Sequence, residues 1–257
     1  MLSKNQIKQV TGLQFKKNRA LEHCFVAEGA KIVPELLRSK IIVRALFGTA
    51  DFFEKIFLET IPESIEKIIV SELELKKISS LSTPNEVLAV CEIPVHSLIN
   101  SELKNQLSIV LDDVRDPGNL GTIVRIADWF GIANIICSPE TVDVYNPKVI
   151  QATMGSIARV NVCYMDLKHL FSNTTFEHDF SIYGAVLNGE NVFEKRLNQT
   201  GFIVIGNESK GISEKLLPHI NEKISIPSFS LNQMDAADSL NAAIATAVLC
   251  AEFRRRK

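Results

Sequence analysis

The sequence offers few of the residues that mark redox, metal or nucleotide chemistry. It has five cysteines, Cys24, Cys91, Cys137, Cys163 and Cys250, an odd number, widely spaced, in apolar surroundings and without a C-x-x-C pair. Disulfide frameworks and zinc sites need paired or clustered thiols, so these read as reduced core residues of a cytoplasmic protein. His23 and His96 stand alone and no metal-ligand spacing occurs; a lone histidine is more often packed or solvated than ligating. No G-x-G-x-x-G follows a strand-forming run and there is no P-loop, so neither a conventional dinucleotide site nor a nucleoside triphosphate site is supported. No apolar stretch approaches membrane-spanning length, and the opening MLSKNQIKQV lacks the apolar core of a secretory signal. The formal net charge is only -2, which carries no overall signal for nucleic acid.

What is present is ordinary in amount and uneven in placement. The chain has 257 residues, 46% hydrophobic and 23% charged, enough for one large domain or two modest ones. Residues 1–44 hold nine Lys or Arg against three Asp or Glu, whereas residues 45–100 hold four against nine. A basic first segment is either a phosphate-binding face or a solvated helix surface. A helix is predicted over 3–21, a strand at 24–29, a helix from Ala30 to Ser39 and a strand from Ile41 to Phe47. Short helices and strands then alternate to VLAVCEI at 87–93. Apolar periodicity pauses at Pro94 and through HSLINSELKNQ, which predicts domain 1–95, linker 96–106 and domain 107–257.

The second domain reads as α/β with a parallel sheet. LSIVLDD, ANIICS, RVNVCY, FSIYGAVL, GFIVIGN and KISIPS are β-branched apolar runs separated by helical patterns, as strands buried on both faces are. Polar clusters sit at several strand ends, where open parallel sheets place ligands. The first is in SIVLDDVRDPGNLGTIVRIADWFG (108–131), a strand, a turn and a helix with Leu120, Ile123, Val124, Ala127 and Phe130 at helical spacing; it carries Asn119 and Arg125. The second is IVIGNESKGIS (203–213), where Gly206 and Gly211 bracket Asn207 and Glu208 and permit close backbone approach to a ligand. In the third, Ile226-Pro227 leads through a polar loop to Ser239-Leu240-Asn241 and the apolar helix AAIATAVLCAEF. A weaker fourth is the predicted strand end Leu187-Asn188-Gly189. Each alone is explained as a turn or a helix cap; that all of them carry Asn with polar neighbours is not.

NLGTIVR at 119–125, IGNESKGIS at 205–213 and IP followed by SLN at 226–241 resemble the three signature motifs of the SpoU (TrmH-like) RNA ribose 2′-O-methyltransferases of the SPOUT superfamily. KNQIKQVTGLQFKKNRALEHCFVAEG also resembles the substrate-binding module of ribosomal-protein-like fold that often precedes that domain. The resemblance implies a parallel-sheet SPOUT domain with a C-terminal trefoil knot, acting as a homodimer and binding S-adenosyl-L-methionine. Carried over by motif, the cofactor residues are Leu187, Asn188, Gly189, Gly206, Asn207, Gly211, Ile226 and Leu240, and the catalytic residues Arg125, Asn119, Glu208, Ser239 and Asn241. No metal and no membrane enter.

The implied substrate is ribosomal or transfer RNA, which gives the basic amino terminus a reason to contact phosphates, Lys17 and Arg19 first, beside Arg125. The alternatives are a SPOUT-type base methyltransferase and a catalytically silent RNA-binding protein. The chain departs from the motif in its loop Ser228 to Asp238, SFSLNQMDAAD, which is several residues longer than is typical and contains an earlier Leu231-Asn232.

Overall fold

The computed structural model describes residues 1–55, 61–95, 103–173, 180–230 and 238–255; Leu231-Asn232 and most of the long loop lie outside them. From residue 1 to 95 the elements are α1 (Lys4–Gly12), α2 (Lys16–Glu22), β1 (Cys24–Glu28), α3 (Ile32–Leu37), β2 (Val43–Gly48), α4 (Ala50–Lys55), β3 (Glu66–Ile69), α5 (Glu72–Ile78) and β4 (Val87–Glu92). From residue 103 onward they are β5 (Leu107–Leu111), α6 (Pro117–Trp129), β6 (Asn134–Cys137), α7 (Pro147–Thr153), β7 (Asn161–Tyr164), α8 (Leu167–Asn173), β8 (Ser181–Asn191), β9 (Gly201–Ile205), β10 (Glu222–Ser225) and α9 (Ala242–Arg255). The chain forms two compact units, one of Met1–Val95 with Asp143–Arg159, the other of His96–Val142 with Val160–Lys257.

The first unit is a four-stranded sheet in the order β1-β4-β2-β3, with β4 antiparallel to both neighbours and β2 parallel to β3. Ser3 and Gln6 form a capping box that starts α1. The single helix predicted over 3–21 is broken at Leu13–Phe15. Leu13 turns into the core at 2% exposure, and side chains take the carbonyls a continuous helix would have used. Asn18 Nδ2 donates to Gly12 O (2.9 Å), and Arg19 Nη1 donates to Leu13 O (2.8 Å) and Gln14 O (2.9 Å). The segment 143–159 completes this unit, with Tyr145 ring-packed on Phe25 (centroids 4.8 Å apart) and Gln151 Nε2 donating to Glu28 O (2.9 Å).

The second unit is a six-stranded sheet, β10-β8-β9-β5-β6-β7, every pair parallel as predicted. The chain enters at the centre with β5, builds outward through β6 and β7, then crosses to the other side with β8; β9 later fills the place between β8 and β5. β5, β6 and β9 are buried throughout, which is why they read as unbroken apolar runs. At the sheet edges the prediction of burial on both faces fails, since β7 and β10 have only one neighbour and are partly exposed. Leu120, Ile123, Val124 and Ala127 bury one face of α6, the Leu, Ile and Val side chains contributing about 1.5–3 kcal/mol each. Helix α9 packs beside α6. Arg254 joins their carboxyl ends, Nε donating to Phe130 O (2.8 Å) and Nη2 to Gly131 O (3.0 Å). Among the described residues no helix is long and apolar enough to cross a membrane, and no three His, Cys, Asp or Glu side chains cluster in a way that could hold a metal ion.

Candidate active site

Because the sheet is parallel, the segments after β5, β9 and β10 leave from one edge. After β5 the chain passes Asp112-Asp113 and turns into α6. Asp116 caps that helix, its Oδ1 accepting from Asn119 N at 2.8 Å, and Pro117 occupies the first turn where its missing N–H costs nothing. With its backbone satisfied, Asn119 is 8% exposed and its side chain bridges two other segments. Its Nδ2 donates to Glu208 Oε1 (3.0 Å), and its Oδ1 accepts from Asn241 Nδ2 (2.8 Å). Asn241 is itself the amino-terminal cap of α9, Oδ1 accepting from Ala243 N (2.9 Å) and Ile244 N (3.3 Å). Three residues carried by three different motifs thus form one hydrogen-bonded chain, Glu208–Asn119–Asn241.

Glu208 also accepts from Asp116 N (3.2 Å) and Arg115 N (3.3 Å). Burial pushes its carboxyl up, but the Asn119 amide, its own N–H and those of Asp116 and Arg115 together hold it below the usual glutamate range. The carboxylate therefore stays ionised and its lone pairs are committed to the turn before α6. The loop after β9 is fastened further. Asn207 and Gly211 (φ +69°) exchange backbone hydrogen bonds, Asn207 Oδ1 accepts from Ser209 N and Lys210 N, and Asn207 Nδ2 donates to Asp113 O (2.7 Å). Ser213 N donates to Asp112 Oδ2 (2.7 Å). A Cβ on Gly206 would stand 2.1 Å from Gly211 C and 2.2 Å from Ile212 N, so only glycine lets this loop fold back on itself. Beyond Ser213 the chain makes a 3₁₀ turn at Leu217–His219.

Beside this loop lies a cavity of about 900 Å³, walled by residues 185–188 of β8, the loop after β9, β10 with the segment after it, and the start of α9. Leu187, Asn188, Gly206, Asn207, Gly211, Ile226 and Leu240 all line it, as do Glu208 and Ser239. Gly189 does not: it fits under β10, where a Cβ would meet Ile224 C at 2.4 Å. Nor is Leu187-Asn188-Gly189 a strand end; β8 continues to Asn191 after an excursion that slips its register on β10. Arg125 is exposed on α6 and, among the described residues, makes no hydrogen bond or ion pair. Ser239 is likewise exposed without a partner among them.

Of the two amino-terminal cations, Lys17 is exposed and Arg19 is not. Arg19 is 3% exposed, paired with Asp143 through Nε (3.1 Å) and Nη2, and bonded to two carbonyls through Nη1. Four of its five guanidinium N–H donors are used inside the protein, so the expectation that Arg19 contacts RNA phosphate is corrected: it is a buried structural cation.

A model of the SpoU rRNA Methylase family matches residues 106–251, and one of an MRM3-like substrate binding domain matches residues 4–89. The chain belongs to the SpoU rRNA methylase family. As a SpoU protein it resembles the Bacillus subtilis 23S rRNA (guanosine(2553)-2′-O)-methyltransferase RlmP, 29% identical over 254 residues, 98% of this chain and 97% of the relative. Among solved structures it resembles a TrmH-family protein from Porphyromonas gingivalis (37% identity, TM-score 0.86, all of both chains covered). It also resembles an AdoMet-bound rRNA methyltransferase from Sinorhizobium meliloti (26% identity, TM-score 0.84, 100% of this chain and 96% of that one). The expected parallel-sheet α/β fold and family are thereby both established.

Sequence reasoning missed several groups in this SpoU site. Asp112, Asp113 and Arg115 anchor the loop after β9, with Asp113 at φ 58° and its Oδ1 2.7 Å from Arg115 Nε. The available signal was an acidic pair, Asp112-Asp113, closing an apolar strand. Phe229, 82% exposed, also lines the cavity and had no signal beyond lying in the long loop.

Proposed function

We propose that this SpoU protein transfers a methyl group from S-adenosylmethionine to a ribose 2′-hydroxyl of RNA, ribosomal RNA being favoured by the named activity of its Bacillus relative. The observation that carries the reading is the Glu208–Asn119–Asn241 chain at the edge of the strand-end cavity. The residues fit the cofactor. Leu187, Ile226 and Leu240 give an apolar wall for an adenine, and the Gly206–Gly211 loop brings backbone groups close enough to hydrogen-bond it, where a side chain on Gly206 would clash. Bound there, the cofactor supplies an electrophilic methyl on a sulfonium.

The chain's own residues then have distinct tasks. Asn119 and Asn241 hold the β5–α6 turn and the start of α9 in fixed register, so that groups on both face one place. Glu208 is kept ionised by its donors and serves as their acceptor, not as a proton shuttle. Arg125, free of protein partners among the described residues, binds the neighbouring phosphate or steadies charge developing on the attacking oxygen. Ser239 stands at the cavity rim to support Arg125 or the substrate. Lys17 contributes to backbone contacts from the first unit.

The same proposal includes a homodimer, a trefoil knot and work in the cytoplasm. Trp129 at the carboxyl end of α6, and Leu240 and Ile244 at the start of α9, are 85%, 51% and 54% exposed, large apolar side chains that a second copy would cover. The deciding experiment is methyl transfer from labelled S-adenosylmethionine to total RNA from a strain lacking this gene, with the product digested to nucleosides. Label in a 2′-O-methyl nucleoside is expected. Label confined to a methylated base, or none in any RNA, refutes the reading.

A further inference from the structure

The wall of the cavity is carried on an excursion of β8 whose two ends are held by one ammonium group. β10 pairs with β8 at Glu222↔Tyr183 and Lys223↔Gly184, and then at Ile224↔Glu190 and Ser225↔Asn191. Residues 185–189 of β8 are therefore skipped in the ladder register with β10, and Ala185 to Asn188 line the cavity. Glu222 stands across from the strand just before the excursion; Glu190 follows it directly. Lys195 Nζ lies 2.8 Å from Glu190 Oε2 and 2.8 Å from Glu222 Oε2. The turn that returns Lys195 to this place is set by Asn191, whose Oδ1 accepts from Phe193 N (3.1 Å) and whose carbonyl accepts from Lys195 N (3.0 Å), over a buried Val192.

Lys195 is 12% exposed, Glu222 35% and Glu190 70%, so the pair with Glu222 is the better shielded of the two and the pair with Glu190 is screened as surface pairs are. The hydrogen bonds it donates to both carboxylates push its pKa up, and it carries its charge at any assay pH. Two carboxylates that share one nitrogen are separated by no more than twice the nitrogen–oxygen distance, and without the cation they repel. A second tie, Ser225 Oγ donating to Gly189 O at 2.9 Å, anchors the far end alone and cannot replace the bridge across the gap.

We propose that Lys195 is a positioning residue for the cofactor. By drawing Glu190 and Glu222 together it fixes the span of the excursion, and with it the placing of Leu187 and Asn188 against the ligand. Lys195 does not line the cavity itself; it acts through the strand. The inference rests on reading the cavity as the S-adenosylmethionine site.

The test is calorimetric titration of the full-length protein with S-adenosylmethionine, beside steady-state transfer to RNA. Lys195→Met is expected to raise the cofactor Kd and KM about three- to tenfold while kcat at saturating cofactor stays within about twofold, since the lost ion pairs act on binding alone. Lys195→Arg is expected to restore the parent Kd, and Lys195→Met with Glu222→Gln to recover part of the loss by removing the repulsion. Should Lys195→Met not fold, Glu190→Gln keeps the packing and is expected to shift Kd the same way by a smaller factor. An unchanged Kd in these variants, or a fall in kcat with KM unchanged, overturns the clamp. No heat from the parent protein overturns the reading of the cavity, and the clamp with it.

Discussion

Replacing Asn119 by Asp tests the hydrogen-bonded chain at its middle, since the two side chains have nearly the same shape. Asn119 presents an N–H donor to Glu208 at 3.0 Å; Asp presents a second carboxylate oxygen. The lost hydrogen bond to a charged acceptor is worth about 1.5–3 kcal/mol, and the two carboxylates would then repel. That repulsion has a ceiling, because the pair takes up a proton instead once it exceeds the cost of protonating an ordinary carboxyl at pH 7, about 4 kcal/mol. Glu208 is solvent-exposed, which screens part of it, so a net loss of about 2–3 kcal/mol is expected, roughly 30- to 150-fold in kcat/KM.

The signature is in the pH profile. In the parent, Glu208 is held below its usual range, so what its hydrogen bonds contribute is fully present above the ordinary glutamate pKa and is lost only as pH falls through the lowered value. In Asn119→Asp one carboxyl of the pair is raised, and a shared proton restores an O–H···O bond as pH falls. Activity of Asn119→Asp relative to the parent should therefore climb between pH 8 and pH 6, whereas Asn119→Ala, with nothing to protonate, should show a constant deficit. Parent-like activity in Asn119→Asp at pH 8, or a flat ratio in both variants, would refute the role given to this chain.

Gly206→Ala sets a methyl carbon 2.1 Å from a backbone carbon and should abolish S-adenosylmethionine binding measured by calorimetry, even where circular dichroism shows the sheet retained. Arg125→Ala removes an exposed side chain without protein partners among the described residues, so its melting temperature should match the parent within the effect of about 0.5 kcal/mol while methyl transfer is lost and cofactor binding remains. Arg19→Ala should destabilise the first unit by about 3 kcal/mol in urea titrations by leaving Asp143 uncompensated. Lys17→Ala should leave stability unchanged and lower the salt slope of RNA binding by about one. Trp129→Glu should convert the proposed dimer to a monomer in sedimentation; because Trp129 is the sole tryptophan, dilution of the parent through its dissociation range should also red-shift the emission.

Local chemistry made much of this protein legible before any coordinates. The strand, Asp116-Pro117 turn and one-sided apolar helix of residues 108–131 follow from β-branched runs, a side-chain cap and helical spacing, all acting within a few residues, and the structure reproduces them. The same holds for the six parallel strands and for Asn241 as the cap of α9. Motif spacing placed Asn119, Glu208 and Asn241 at strand ends. Only tertiary structure decided that they bond to one another, because the partners lie 89 and 122 residues apart and no local pattern encodes which way an amide turns.

Arg19 shows the limit most plainly. In sequence it is one cation among several in a basic segment, like Lys17; in the fold it is buried against Asp143, 124 residues away, and the carbonyls it takes break the predicted helix. The β8 excursion was hidden for the same reason, since a slip between two strands depends on the partner strand, which the sequence of β8 does not carry. The sequence by itself determined most elements of the second unit and their parallel pairing, because those rest on periodicity and capping; the chemical class of the site followed from the resemblance of its motifs to those of the SpoU methyltransferases. Which charges are buried, which side chains meet and how the cavity wall is held were decided by contacts between distant segments, where burial and pairing outweigh local preference.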